Sequence, residues 1–431
     1  MTEQDSPSTP TRRRIPLVWL VTGAIVVAVV VGIVASQSPS TGDQATPRPT
    51  TTAQAGSQAP ATIRGADPSN IYAGIGPEHM SPAVAGDLSR VYVPDGGADK
   101  VSVIDPSTGK VVDTWRTGRQ PQHIVPSWDM RTLWLLDNSG NDLIPIDPRT
   151  GRHGPPVKVD DPYNLYFTPD GSSAIVVAEA RHRLDFRDPH TMKLQSSLEV
   201  PGCKGINHAD YSADGSYLLV TCEFAGSIAK IDMVNRRVVG LLTLGSPMSA
   251  TQSGADTASM PGMTGAGAPS MPQDVRTGPD GHHFYVADME AGGLHVIDGD
   301  SFTLVGFIHT GIGTHGITPS RDGTKLYVSN RGSTAVNGAP HGPGSVSVVD
   351  PRTDTVVANW PIAGGGSPDM GNLSADGTRL WLSGRFDSEV YAFDTTSGAL
   401  VYRVAVARGP HGLTVWPQPG SFSLGHTGNM R

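Results

Sequence analysis

The sequence has very little cysteine. Two residues in 431, Cys203 and Cys222, exclude a disulfide-dense scaffold. No C-x-x-C-H occurs, which excludes covalently attached c-type haem. Neither sign of charge dominates: 32 Lys and Arg stand against 40 Asp and Glu, a net charge of −8. With no large basic patch, nucleic acid is not expected as a partner. G-x-S-x-G, H-E-x-x-H and a Gly-rich phosphate loop are also missing, so no short catalytic signature is available.

Apolar runs long enough to cross a membrane are missing except at one place. Arg12, Arg13 and Arg14 precede Ile15–Ala35, twenty-one residues without a charge. That length spans a bilayer as a helix, and the arginines predict a cytoplasmic tail at 1–14 with everything after Ala35 outside. A cleaved signal peptide is the rival reading, although its apolar region is usually shorter and Val34–Ser36 makes a poor cleavage site. Either way the remainder is expected on the extracytoplasmic side of the cell membrane. Residues 36–70 hold a Ser-, Thr-, Pro-, Gln- and Ala-rich stretch, Gln37–Pro68, with too few large apolar side chains for a core. They read as a flexible tether ahead of a folded part at 71–431.

The folded part repeats. "VSVID" ends at Asp105, followed by related segments ending at Asp147, Asp188, Asp232, Asp298, Asp350 and Asp394. Most spacings are 41 to 44 residues, and two are lengthened by insertions. Asp-Gly pairs lie upstream at Asp170, Asp214, Asp280, Asp322 and Asp376, each before a β-rich triplet such as "FYV" or "LYV". Asp-Gly provides a tight hairpin turn, and the later Asp, often with Pro after it, starts a second one. Each unit therefore reads as four short antiparallel strands, a to d from the centre outwards. Seven units predict an all-β, seven-bladed propeller. The segment Pro410–His426 repeats the a and b pattern alone, so it is expected to supply the inner strand of the first blade and close the ring.

The segments "LYVSN…GSVSVVDPRTDTVVANWPIAGG" and "VYVPDGGADKVSVIDPSTGKVVDTW" resemble the YVTN-type, YncE-like β-propeller repeat. The resemblance covers about Ser81 to Trp416. It implies the fold and an extracytoplasmic setting, and it leaves the activity open. The chain is more distantly similar to the haem-carrying propeller of the cytochrome-type nitrite reductases.

The heads of the a-strands share one face, the upper mouth. Their two variable positions read Gln122-His123, Tyr163-Asn164, Asn207-His208, Gln273-Asp274, His315-Gly316, Asp369-Met370 and His411-Gly412. His123, His208, His315 and His411, with Asp274 and Asp369, thus gather round one pore. The insertions fall on the same face: a methionine-rich connection, Gly245–Gln273, and a loop at Ser333–Gly344 carrying His341. Glu179, Glu223, Asp288, Arg331 and Arg385 stand at b-strand ends there, and His426 aligns with Asn330 as another such end. Elaboration on one face of a regular scaffold is how loops carry function.

Three readings of the histidines stay open: strand-head packing, a metal or cofactor site, and proton transfer. Side chains alternate along a strand. His123 and His208 therefore need not face the same way as His315 and His411, which lie one position earlier. Met260, Met263 and Met271 are either plain low-complexity loop or soft ligands, which would make copper the metal. The histidines must be neutral to bind, so affinity is expected to fall as pH drops through about 6.5. Cys203 and Cys222 fall at one end of a hairpin, as a disulfide or as free thiols. Trp134 and Trp381 read as blade core. The leading expectation is a monomeric, membrane-anchored, non-catalytic binding or accessory protein that uses its upper mouth. The alternative is a copper or redox-cofactor protein, or an enzyme, with a His/Asp-lined pore.

Overall fold

The structure is a computed structural model and describes residues 70–245 and 270–431. The anticipated span Ile15–Ala35, most of the tether, and Met260 and Met263 lie outside these residues. Among the described residues, no helix is long and apolar enough to cross a membrane.

Alternation of β-branched and aromatic residues between Asp-Gly and Asp-Pro turns produces seven four-stranded antiparallel sheets. Their inner strands are Thr414–Trp416 (blade 1), Pro121–Pro126 (2), Pro162–Phe167 (3), Ile206–Tyr211 (4), Pro272–Thr277 (5), Thr314–Pro319 (6) and Pro368–Leu373 (7). Each packs against the inner strand of the next blade, and blade 7 returns to blade 1, so the ring is closed. Closure works as the sequence implies. Thr414–Trp416 pairs with Arg90–Asp95, which continues through Lys100–Asp105 to Lys110–Arg116. The first blade is thus built from both ends of the folded part, and its sheet has no open inner edge.

The turns on the lower face behave as the sequence suggests. At the blade 4 hairpin, Asp214 Oδ1 accepts the Ser216 N–H at 2.9 Å, and Gly215 takes φ +71°, a conformation a side chain would strain. Inner strands are buried throughout, whereas outermost ones such as Lys110–Arg116 alternate little and face solvent. Side chains from adjacent blades interdigitate; Trp381 packs with Val91, Ile104 and Val415 across the blade 7–blade 1 junction, and Trp134 is likewise buried.

The end of the chain departs from the repeat. After Trp416 it forms no b-strand. Residues 417–431 turn inward and fill the ring axis from below. Phe167 N–H donates to Leu424 O (3.0 Å), His426 N–H to Leu165 O (2.8 Å), and Asn429 Nδ2 to Asp210 Oδ1 (2.6 Å). The loop doubles back on itself through a Ser423–Met430 bridge. Phe422, Leu424 and Met430 are all buried. The alignment of His426 with Asn330 is therefore corrected: Pro417 and Pro419 lack the N–H groups a ladder needs, and His426 lies on the axis rather than at a strand end. Residues 70–84 close the lower face beside this loop, with Ile71 N–H on Pro279 O (2.9 Å) and Gly420 N–H on His79 O (2.9 Å).

Candidate functional site

The strand heads explain why histidines one position apart can meet. Each inner strand is out of register with its neighbour at its head. In blades 2 and 3 one residue is looped out (Gln122, Tyr163). In blades 4 to 7 two residues, such as Asn207-His208 and His315-Gly316, stand opposite one of the second strand, again one extra residue. A hydroxyl from the b-strand fills the gap in three blades: His208 N–H bonds Thr221 Oγ1 (2.9 Å), Gly316 N–H bonds Ser329 Oγ (2.8 Å) and Met370 N–H bonds Ser383 Oγ (3.4 Å). Bulges re-aim side chains, and here they cancel the one-residue offset.

Five imidazoles, all buried, therefore share the axis. Ring centroids of His123 lie 5.4 Å from His208, 4.8 Å from His411 and 5.8 Å from His426. His208 lies 4.9 Å from His426, and His315 lies 5.8 Å from His411. Glycine makes one of these approaches possible, since a Cβ on Gly412 would stand 2.1 Å from His123 Cδ2.

His123, His208 and His426 each offer one ligand nitrogen within 4.8 Å of the others. His123 Nδ1 donates to Tyr163 O at 2.8 Å, which leaves Nε2 as the lone pair. That Nε2 is 3.4 Å from His208 Nε2. Two nitrogens on a tetrahedral ion with bonds of about 2.1 Å would be separated by about 3.4 Å. His208 Nδ1 has no hydrogen-bond partner. Asp274 Oδ1 accepts His426 Nε2–H at 3.1 Å and fixes the tautomer whose Nδ1 carries the lone pair, to which Asn164 Nδ2 donates at 3.4 Å. Asp274 also receives the N–H groups of Val275 and Ile317.

Asp369 plays the matching part on the opposite wall. It takes His411 Nδ1 at 2.6 Å and Arg331 Nε at 2.8 Å. His315 Nδ1 lies 2.8 Å away but is poorly aligned, so this contact is mainly electrostatic. Carboxylates behind imidazoles are the usual outer shell of a metal site. Burial works to raise the Asp369 carboxyl, but Arg331 and the two imidazoles hold it well below the ordinary carboxylate range. Burial depresses every chamber histidine: His123 to about 4, and His208, His411 and His426 well below the usual value. His315 is lowered by burial and then by Arg331. Each of these shifts favours the neutral imidazole at physiological pH.

Of the residues singled out in the sequence, His123, His208, His315, His411, Asp274 and Asp369 come together, the two aspartates behind imidazoles. Met271 sits at the head of blade 5, its N–H on Asp288 Oδ1 at 3.0 Å. His341 lies out on the rim, where Arg403 Nη2 donates to its Nδ1 at 2.8 Å. The Cys203 and Cys222 sulfurs are bonded, joining the head of blade 4 to its second strand. His426 enters the chamber unanticipated, because no periodic pattern carries the chain there. Tyr163 roofs it, with its hydroxyl 3.5 Å from His411 Nε2. Glu223, which accepts Asn207 Nδ2 at 2.7 Å, and Glu179, raised by burial to about 8, border the same mouth.

Residues 255–419 match the family model of the YNCE-like beta-propellers. No curated protein matches the chain in sequence. Solved structures share the fold. A functionally unknown protein from Desulfotomaculum acetoxidans superposes with a TM-score of 0.56 at 16% identity, over 75% of this chain and 98% of that one. Hydrazine synthase of Kuenenia stuttgartiensis gives 0.53 at 20% identity, over 67% and 87%. The dihydro-heme d1 dehydrogenase NirN, in complex with DHE, gives 0.53 at 14% identity, over 78% and 76%.

Proposed function

We propose that this YncE-like propeller is a metal-binding protein whose axial chamber holds a late transition-metal ion on His123, His208 and His426. One observation carries the reading: three neutral, buried imidazoles present nitrogens within 4.8 Å of one another. His411, oriented by Asp369, lies 4.8 Å ring to ring from His123 and offers a further nitrogen, with His315 beside it. An all-imidazole donor set suits copper, zinc, nickel and iron, and copper has the highest affinity among these divalent ions for such sites. The mouth is the way in, because residues 70–84 and 417–431 fill the lower end.

The same reading places the propeller outside the cytoplasm, anchored by Ile15–Ala35, where it binds rather than transforms its cargo. The Cys203–Cys222 bond supports this setting, since such bonds persist in oxidising compartments. The test is metal analysis of protein purified from its native host without chelators, followed by reconstitution of His208→Ala and His426→Ala variants. About one equivalent in the wild type and much less in both variants supports the site. Metal content unchanged by either substitution rejects it.

A further inference from the structure

A cleft of about 560 Å³ opens at the upper rim, where the heads of blades 1, 2 and 7 meet. Arg119, Arg385 and Arg408 line it, with Asp99 as the one acidic lining residue. Three positive charges against one negative leave the cleft with +2, on a chain whose net charge is −8. Arginines elsewhere in the ring are mostly paired: Arg183, Arg187, Arg331, Arg379 and Arg403 each have a carboxylate within 4 Å. Among the described residues, none of the three cleft arginines has one. Arg408 leans on Gly97 O. The hydrogen bond recorded for Arg385 is a long one, to Gln122 Oε1 at 3.5 Å.

The cleft is also built. Its roof is the Ser333–Gly344 loop, the long b–c connection of blade 6, which reaches across blade 7. Gly338 seats against Phe386, where a Cβ would come within 2.5 Å of the ring. Phe386 and Pro340 add apolar lining beside the guanidiniums. That volume and mixture of apolar wall with convergent polar groups are typical of small-molecule sites. Burial lowers the pKa of Arg385 and Asp369 opposes this, so the fold keeps a cation at this floor against a desolvation cost.

We infer that this cleft binds a small organic anion carrying a carboxylate or phosphate group, held by Arg385 at the floor and by Arg119 and Arg408 at the sides. Guanidinium forks match both groups bidentately. Gln122, which lines the cleft, immediately precedes His123, so the anion would lie next to the blade 2 strand head that supplies a chamber imidazole. The inference does not rest on the metal reading, because every group it uses lies outside the chamber.

The experiment is calorimetric titration of metal-stripped protein at low ionic strength with glycerol 3-phosphate, succinate and, as neutral control, glycerol. Saturable binding of at least one anion and none of glycerol is expected, and comparing the two anions tells phosphate from carboxylate. Arg385→Ala should weaken binding at least about tenfold, the scale of one lost charged hydrogen bond. Arg119→Ala, at an exposed position that the fold does not need, should weaken it several-fold. Added salt should weaken it further. Absence of saturable binding by either anion, or binding unchanged in Arg119→Ala and in a folded Arg385→Ala, overturns the inference. Because the protein is metal-free throughout, a failure here leaves the metal reading standing, and the reverse also holds.

Discussion

His426 Nε2 lies 3.1 Å from Asp274 Oδ1, although 152 residues separate them in the chain. The contact joins the C-terminal loop to blade 5 and sets which imidazole nitrogen carries the lone pair. Asp274→Asn keeps the size and removes the charge that selects the tautomer. Metal affinity is expected to fall about 10- to 100-fold, the usual cost of losing an outer-shell carboxylate. Competition with a chromophoric chelator measures it, and an affinity equal to wild type would show that His426 is not a ligand.

The pH dependence follows from burial. A folded-state pKa of about 4 at His123 means that the native protein stays unprotonated there while the unfolded chain takes up a proton below about 6.5. The unfolded state then binds more protons, so stability of the metal-free protein should fall as pH drops from about 6.5 towards 4. Metal affinity of the folded protein should by contrast stay nearly level between pH 7 and 5, which corrects the fall through about 6.5 expected from the sequence, because burial lowers these histidines. Thermal melts and metal titrations over that range check both halves.

Two truncations separate ring closure from the axial loop. Removing 410–431 takes away the blade 1 inner strand and should abolish cooperative melting near the wild-type temperature. Removing only 417–431 leaves that strand but exposes the surfaces covered by Phe422, Leu424 and Met430. At about 1.5–3 kcal/mol for each large apolar side chain, this should cost several kcal/mol and also abolish metal binding. A 417–431 deletion that melts like wild type would contradict the observed packing.

The Cys203–Cys222 bond closes a loop with a sequence separation of 19. On the chain-entropy model its loss should cost ~3 kcal/mol. Denaturant midpoints of Cys203→Ser/Cys222→Ala, with the m-value checked for constancy, give the figure directly.

The ring was readable in the sequence because its information is local. Asp-Gly turns, β-rich triplets and the 41- to 44-residue spacing each act within a few residues. The closing strand was readable because Leu413–Trp416 still obeys the pattern. The chamber was half readable. His123, His208, His315 and His411 announced themselves at strand heads, but their mutual direction depended on one-residue bulges, three of them filled by Thr221, Ser329 and Ser383, which no alternation rule encodes. His426 was placed in the wrong structural role because "GSFSLGHTGNMR" has no periodicity, and its position is set by long-range bonds to Leu165, Asp210 and Asn372. The cleft arginines lie on connections between strands, where spacing carries no information about what faces what.

The axial loop also imposes an order in time. On the proposed reading, two imidazoles of the metal site come from strands translated earlier, and the third comes from residue 426, after the segment that shuts the ring. A nascent chain arrested before that point has neither a closed circle nor a third nitrogen, so it cannot hold metal at this site. Possession of the ion would then certify that translation had passed residue 426 and that the ring had shut, and products terminated before that point would be distinguishable by the absence of the metal alone.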